Sequence, residues 1–388
     1  MLPRFSRRLD WGVVPNRLAE QVEKKRAAGA RILDLTESNP TRAGIDYDGE
    51  AIRRALVDDR TLIYEPQPAG LERAREAVVG YYAARGLTVD PHRVLLTAGT
   101  SEAYAFLFKL LADAGEEILA PRPSYPLFEF LAGLEGLGVR QYRLGYDHGW
   151  WVDIESARAA SDERTRAIVV VNPNNPTGNF LKARELEELV RLCAERGLAL
   201  IADEVFFDYP FGEDPARAPS AVMVDEVLCF ALNGLSKAAG LPQMKLGWMV
   251  VGGPRELREK VLARLELIAD TYLSVGTPVQ HAAAALLEGA RDFQLRLRAR
   301  LVGNLTWLRA ALTGRQARVL EVEGGWYAIL RLPQTRSEEE WALELLEKDS
   351  VLVQPGYFYD FEGEAFAVVS LLTQPEVFRE GLGRILGK

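Results

Sequence analysis

The chain has 388 residues, with 47 Lys and Arg against 55 Asp and Glu, a net charge of −8, 48% hydrophobic residues, 33 Gly and 20 Pro. These values fit a globular protein of two or three domains and exclude a disordered, collagen-like or disulfide-stapled chain. The acidic balance carries no basic stripe for nucleic acid, and no apolar run approaches the ~20 residues that cross a bilayer.

The first sixteen residues lack the apolar stretch of a signal peptide, so a cytoplasmic protein is expected. Residues 16–29 read as an amphipathic helix closed by Gly29, and RILDLTESNPT as a short strand running into a turn. From about residue 70, helices and strands alternate. LERAREAVVGYYAARG is a helix, RVLLTAG a strand, TSEAYAFLFKLLADAG a helix and EEILAPRP a strand. SYPLFEFLAGLEG, VRQYRL, RAIVVVNPN, KARELEELVRLCAERG and LALIADE continue the alternation, and the strands VLCFALN and KLGWMVVGG follow. Cys193 and Cys229 fall in such a helix and strand and read as buried, reduced thiols. A long helical stretch spans about 254–312. The tail mixes strands (RVLEVEGGWYAILRLP, SVLVQPGYF) with helices (EEEWALELLEKD, PEVFREGLGRILG).

Continuous apolar strands between amphipathic helices predict an α/β fold with a mostly parallel sheet covered on both faces. The tail predicts a smaller α+β domain. The expected division is 1–45 as a segment packing on the small domain, 46–285 as the large domain and 286–388 as the small one.

Several chemistries lack support. The three histidines, His92, His148 and His281, have no metal-ligand spacing, so no metal site is expected. There is no CxxC, no GxSxG elbow and no phosphate-binding GxxxxGK[ST]. GLEGLG joins a helix to a strand, the wrong order for a dinucleotide fingerprint.

Polar groups instead gather where apolar strands end, the edge at which open α/β sheets bind ligands. Gly99-Thr100-Ser101 open a helix, where free N–H groups favour an anion; by itself the stretch also reads as an ordinary cap. LALIADE sets Asp203 and Glu204 at a strand mouth, and a carboxylate there needs a cation or a capping role. Lys237 follows another strand; it reads either as a surface lysine or as a pocket amine fit for a Schiff base.

The ordered set Tyr64, GLERAREAV, TAGTSEA, PSYP, NPNNPTG, ADE, LSK, KLGW and GGWYAILRLP resembles the fold-type I pyridoxal-phosphate enzymes, specifically the class I/II aminotransferases, over nearly the whole chain. The resemblance implies pyridoxal 5′-phosphate as cofactor, an amino acid and a 2-oxo acid as substrates, and a homodimer with shared sites. Lys237 matches the lysine that holds the cofactor as a Schiff base and moves the proton at the α-carbon. Asp203 matches the partner of the pyridine nitrogen, and Asn175 the donor to ring O3′ and to the substrate carboxylate. Tyr125 matches the stacking aromatic. Gly99, Thr100 and Ser101 match the phosphate cup, and Tyr64 the tyrosine that reaches the neighbouring subunit's phosphate. Tyr272 is a further candidate from the partner side.

Four positions depart from the family pattern. Lys245 stands where an arginine holds the phosphate, keeping charge but losing the bidentate fork. Phe206 replaces a tyrosine that bonds O3′, which leaves that oxygen one donor fewer. Gly234 replaces a serine, leaving Ser236 as a phosphate contact or a shaper of the loop. Val368, in FAVVSLL, falls where an arginine clamps the α-carboxylate. Arg42 is the expected substitute and Arg331 a weaker one; Ser38, in place of a glycine, also faces the substrate. The loss at 368 keeps open another reaction of the same cofactor, such as β-elimination, decarboxylation or oxidation. A non-catalytic regulator would carry a winged helix before the first core strand, and the ~30 residues there are too few.

Overall fold

The computed structural model describes residues 5–9, 11 and 16–387. The signal-peptide reading of the N-terminus falls largely outside them. Eight strands form the central sheet: β1 Val94–Thr97, β2 Glu117–Arg122, β3 Gly138–Tyr146, β4 Trp150–Val152, β5 Thr165–Val171, β6 Ala199–Asp203, β7 Cys229–Gly234 and β8 Gly247–Gly252. Their spatial order is β1-β8-β7-β6-β5-β2-β3-β4. The run from β7 to β3 is parallel throughout. β8 runs antiparallel to both β7 and β1, and β4 antiparallel to β3.

Alternation of side chains along each strand divides the core into two layers. Leu95, Val169, Ile201 and Phe230 pack on one face with Phe106 and Leu107 of the helix Thr100–Leu111 and Leu265 of the helix Arg255–Asp270. Leu96, Val170, Leu200 and Ala231 pack on the other with Leu189 and Leu192 of the helix Ala183–Arg196. β6, β7 and β8 are buried at every residue, which is why their sequences are apolar without alternation.

The helical stretch expected at 254–312 is two helices, Arg255–Asp270 and Thr277–Leu312. They are separated by the residues TYLSVG, with Pro278 in the first turn of the second. The second helix runs unbroken for 36 residues from the large sheet to the small one. The helices Gly49–Leu56 and Ile154–Ala160 and strand β4, 8, 7 and 3 residues long, are too short for a pattern to be read from sequence.

The small sheet is antiparallel, in the order Arg318–Val319, Tyr327–Arg331, Phe366–Ser370, Gln354–Pro355. SVLVQPGYF is not one strand. Its residues Val351–Leu352 pair in parallel with Leu33–Asp34 instead, all that becomes strand in RILDLTESNPT. Among the described residues no helix is long and apolar enough to cross a membrane.

Asn304, on the long helix and 2% exposed, donates to Leu371 O and Thr373 O and so fixes the turn after strand Phe366–Ser370. Asn304→Ala leaves two buried carbonyls without that donor. We expect a loss of about 1–3 kcal/mol, read as a lower urea midpoint with an unchanged slope.

Candidate active site

Parallel register sets the site. Val171 of β5 pairs with Asp203 of β6, and Asp203 with Leu232 of β7. The loops that follow these three strands therefore start side by side at one edge of the sheet. They carry Asn175, Asp203 itself and Lys237.

Asp203 is buried; Tyr104 Oη donates to Oδ2 at 3.0 Å and the Val205 N–H to Oδ1 at 3.2 Å. Burial pushes its carboxyl up to about 6, against the pull of both donors and of Lys237. Lys237 sits in a single helical turn, Leu235–Ala238, directly after β7. Burial lowers its amine to about 8, with Asp203 holding it up. Its Nζ lies 4.7 Å from the centre of the Trp326 ring and 5.6 Å from that of Phe206.

Asn175 is buried and its Oδ1 has no hydrogen-bond partner. The loop that presents it is held rigidly. Asn174 Nδ2 donates to Pro123 O and Thr177 Oγ1, and Leu181 N–H donates to Asn172 Oδ1. Gly178 has φ +70°, and a Cβ there would meet Val322 Cγ2 at 2.3 Å and Gly324 O at 2.5 Å.

At the far end of the cluster, β1 and β8 pair antiparallel, so the end of β1 meets the start of β8 at Thr97 and Gly247. Gly99, Thr100 and Ser101 then open the helix Thr100–Leu111, and Lys245 Nζ lies 3.8 Å from where a Cβ on Gly99 would stand. Free N–H groups and a lysine amine thus converge, as an anion such as phosphate requires. Ser236 is in the Lys237 turn and half-buried. Tyr125 is partly exposed, and its hydroxyl is raised by burial and then by the nearby charge of Asp203.

The small domain closes the remaining side. Tyr327 is buried, hydrogen-bonded to the Ser38 side chain and close to Glu37. Ser370 Oγ donates to Glu37 O at 2.6 Å. Val368 is 0% exposed, paired across the sheet with Ile329 and Gln354. The Tyr359 hydroxyl donates to Gln354 Oε1, and Tyr359 O accepts from Ser124 N–H, beside Tyr125. The wall that an arginine would occupy is therefore neutral.

Among the described residues, Arg42, Arg331, Tyr64 and Tyr272 make no hydrogen bond or ion pair with Lys237, Asp203 or Asn175. Arg42 is exposed, and its guanidinium has no partner among the described residues. Arg331 is exposed with its guanidinium 5.9 Å from the Phe366 ring. Tyr64, 78% exposed, lines a cleft with Gln67, Phe106 and Thr277, and Tyr272 packs on Phe106. Gly234 is tightly placed: a Cβ there would stand 3.0 Å from Gly247 Cα and Leu246 O, so a serine would need that backbone to give by a few tenths of an ångström. Phe206 is buried with its ring edge against Trp326. Among the site residues that escaped the sequence reading are Tyr104, Tyr209 and Trp326. Tyr104, one helical turn past Thr100, was legible as a residue on the site face of that helix. Nothing local pointed to the other two.

An acid, an amine, an unpartnered amide oxygen and an anion cup make a coherent set for a ring that bears a basic nitrogen, a phenolic oxygen, an aldehyde and a phosphate. The residues present fit pyridoxal phosphate.

Comparison with known proteins agrees. The profile of the family described as "Aminotransferase class I and II" matches residues 31–385. The glutamate-pyruvate aminotransferase AlaA of Haemophilus influenzae is 31% identical over 262 residues, 67% of this chain and 65% of that one. The alanine aminotransferase of Mycobacterium tuberculosis is 31% identical over 344 residues, covering 85% of this chain and 79% of its own. The solved alanine aminotransferase of Pyrococcus furiosus superposes with a TM-score of 0.88 at 25% identity, over 99% of each chain.

Because Asp203 supports the charge on Lys237, Asp203→Asn lowers the amine of Lys237 further, below about 8 in the protein freed of cofactor. The pH dependence of amine labelling at Lys237, read by peptide mass, checks the direction.

Proposed function

The chain belongs to the class I and II aminotransferases, and on that premise we propose that it moves an amino group from an amino acid to a 2-oxo acid with pyridoxal 5′-phosphate as cofactor. The observation that carries the reading is the convergence of Lys237, Asp203 and Asn175 at the ends of neighbouring parallel strands. When bound, the cofactor supplies a carbonyl that accepts the amino group and a protonated ring that withdraws the electrons freed at the substrate's α-carbon.

The protein's part follows from its own groups. Lys237, with its amine lowered to about 8, keeps a neutral fraction at physiological pH that can attack a carbonyl and accept a proton. Asp203 would face the ring nitrogen and keep a proton there, while Tyr104 and the Val205 N–H hold the carboxylate in place. Asn175 would serve ring O3′ and the substrate carboxylate. Gly99, Thr100, Ser101, Ser236 and Lys245 would hold the phosphate, and Tyr125 would cover the ring. Tyr327, Trp326 and Phe206 exclude water from the amine.

Ser38 and Arg42 receive the substrate carboxylate in place of the residue missing at 368. The support is that Ser38 already reaches Tyr327, and that Arg42 stands four residues on with no partner among the described residues. The working unit is a cytoplasmic homodimer in which Tyr64 reaches the phosphate end of the neighbouring site. Its exposure beside Leu62 and Ile63, 85% and 63% exposed, supports that.

The test is the visible spectrum of the purified protein, titrated with single amino acids. A visible band that one amino acid converts to a shorter-wavelength form, and that a 2-oxo acid restores, is the expected result. Absence of any band after adding pyridoxal phosphate would overturn the role of Lys237. With the best donor, Arg42→Gln is expected to raise KM about fivefold, worth ~1 kcal/mol, with kcat within about threefold. Unchanged KM would remove Arg42 from the site.

A further inference from the structure

Behind the turn that carries Lys237 lies a buried polar cluster that the chemistry above does not use. The turn, Leu235–Ala238, is a single helical turn between Gly234 and Ala239-Gly240, and Gly240 has φ +64°. So short a helix satisfies its carbonyls only in part: Leu235 O accepts from the Ala239 and Leu241 N–H groups, and Lys237 O from the Gly240 N–H at 3.2 Å. Side-chain donors from outside add to these. Tyr209 Oη donates to Lys237 O at 2.6 Å, Gln294 Nε2 to Ala238 O at 2.7 Å and Tyr47 Oη to Gly240 O at 2.7 Å.

The three donors come from three places: the loop after β6, the long helix Thr277–Leu312 and the segment before residue 49. Asp208, its side chain 5% exposed, anchors one of them, Gln294, to Tyr81 and Arg85. It accepts from Gln294 Nε2 at 3.0 Å, Tyr81 Oη at 2.8 Å and Arg85 Nε at 2.9 Å. Asn233 Nδ2 in turn donates to Tyr81 Oη at 3.0 Å, so the residue before Gly234 is held by the same cluster. Tyr209 also acts through its ring, which is 0% exposed and packs 5.4 Å from Trp326, the ring nearest Lys237 Nζ.

We propose that Tyr209 is a positioning residue for Lys237: with Gln294 and Tyr47 it clamps the carbonyls of the lysine turn, so the amine stands against Asp203 and Trp326 before substrate arrives. The proposal rests on Lys237 as the lysine that carries the cofactor. A misplacement of about 1 Å at such a group costs up to ~100-fold in rate. The clamp therefore acts on kcat rather than on substrate binding.

Tyr209→Phe keeps the ring against Trp326 and deletes the hydroxyl. In the holoenzyme we expect kcat to fall about tenfold or more, with KM for the amino donor within about threefold. We also expect the pH midpoint of the cofactor's visible band to move away from that of the unaltered protein. A purely structural role would lower thermal stability and leave both the midpoint and kcat in place; that result overturns the proposal. If Tyr209→Phe does not fold, Gln294→Met and Tyr47→Phe each remove one donor of the same clamp. The same split is expected of them, and wild-type midpoints and kcat in both overturn it. Borohydride reduction followed by peptide mass analysis separates the two layers. An unaltered protein not labelled on Lys237 refutes the cofactor reading, and the clamp with it. Labelling on Lys237 with an unmoved midpoint in the variants refutes the clamp alone.

Discussion

The site depends on one electrostatic interaction, between a buried carboxylate and an amine set at the ends of adjacent strands. Neither group is comfortable there. Burial raises Asp203 to about 6 and lowers Lys237 to about 8, and each is drawn back by the other. Two ionisable groups whose environments move them toward neutrality are what proton transfer near pH 7 needs. The same burial in a chain without the partner would leave an uncompensated charge, which is strongly destabilising. Tyr104 and the Val205 N–H lessen that burden on the acid, and the aromatic rings of Trp326 and Phe206 lessen it on the amine.

The surrounding fold serves that interaction by close approach of backbone. Gly234, Gly247 and Gly99 lie where β7, β8 and the entry to the helix Thr100–Leu111 converge. A Cβ on Gly247 would fall 2.9 Å from Gly99 Cα, and one on Gly234 3.0 Å from Gly247 Cα. Side chains have little room at that junction, which leaves backbone N–H groups and the Lys245 amine as the groups that would meet an anion there.

Legibility from sequence followed locality. The large sheet was readable because β6, β7 and β8 are buried at every position and apolar but for Asp203 and Asn233 near their ends, and strand ends then located Asp203, Asn175 and Lys237. Motif order named the family on the same residues. What stayed hidden is what only tertiary structure assembles. Tyr209, 28 residues before Lys237, reads as one more aromatic in a loop, yet its hydroxyl holds the lysine's own carbonyl. Gln294 is a polar residue inside a long helix, and its two bonds join elements 56 and 86 residues away. The break at 271–276 was missed because the flanking helices share one amphipathic pattern, and SVLVQPGYF was read as one strand because its two halves join different sheets.

The neutral wall at Val368 bears on how a substrate can be held. A guanidinium placed there would be stripped of water, and Gln354 Oε1, the acceptor facing it across the sheet, is already taken by Tyr359. Its cost would exceed that of an exposed cation by several kcal/mol. The wall is thus built for the absence of the arginine, with Val368 sealed beneath Gln354 and Tyr359 rather than left as a gap. An exposed guanidinium such as Arg42 works in high dielectric, where an ion pair contributes ~0–1 kcal/mol unless its geometry is bidentate. Recognition then shifts toward hydroxyl and amide groups, Ser38, Tyr327 and Asn175, which bond carboxylates and neutral polar groups with less contrast than a buried fork does. Discrimination among substrates on this scaffold accordingly falls to the shape of the tyrosine-lined side rather than to charge.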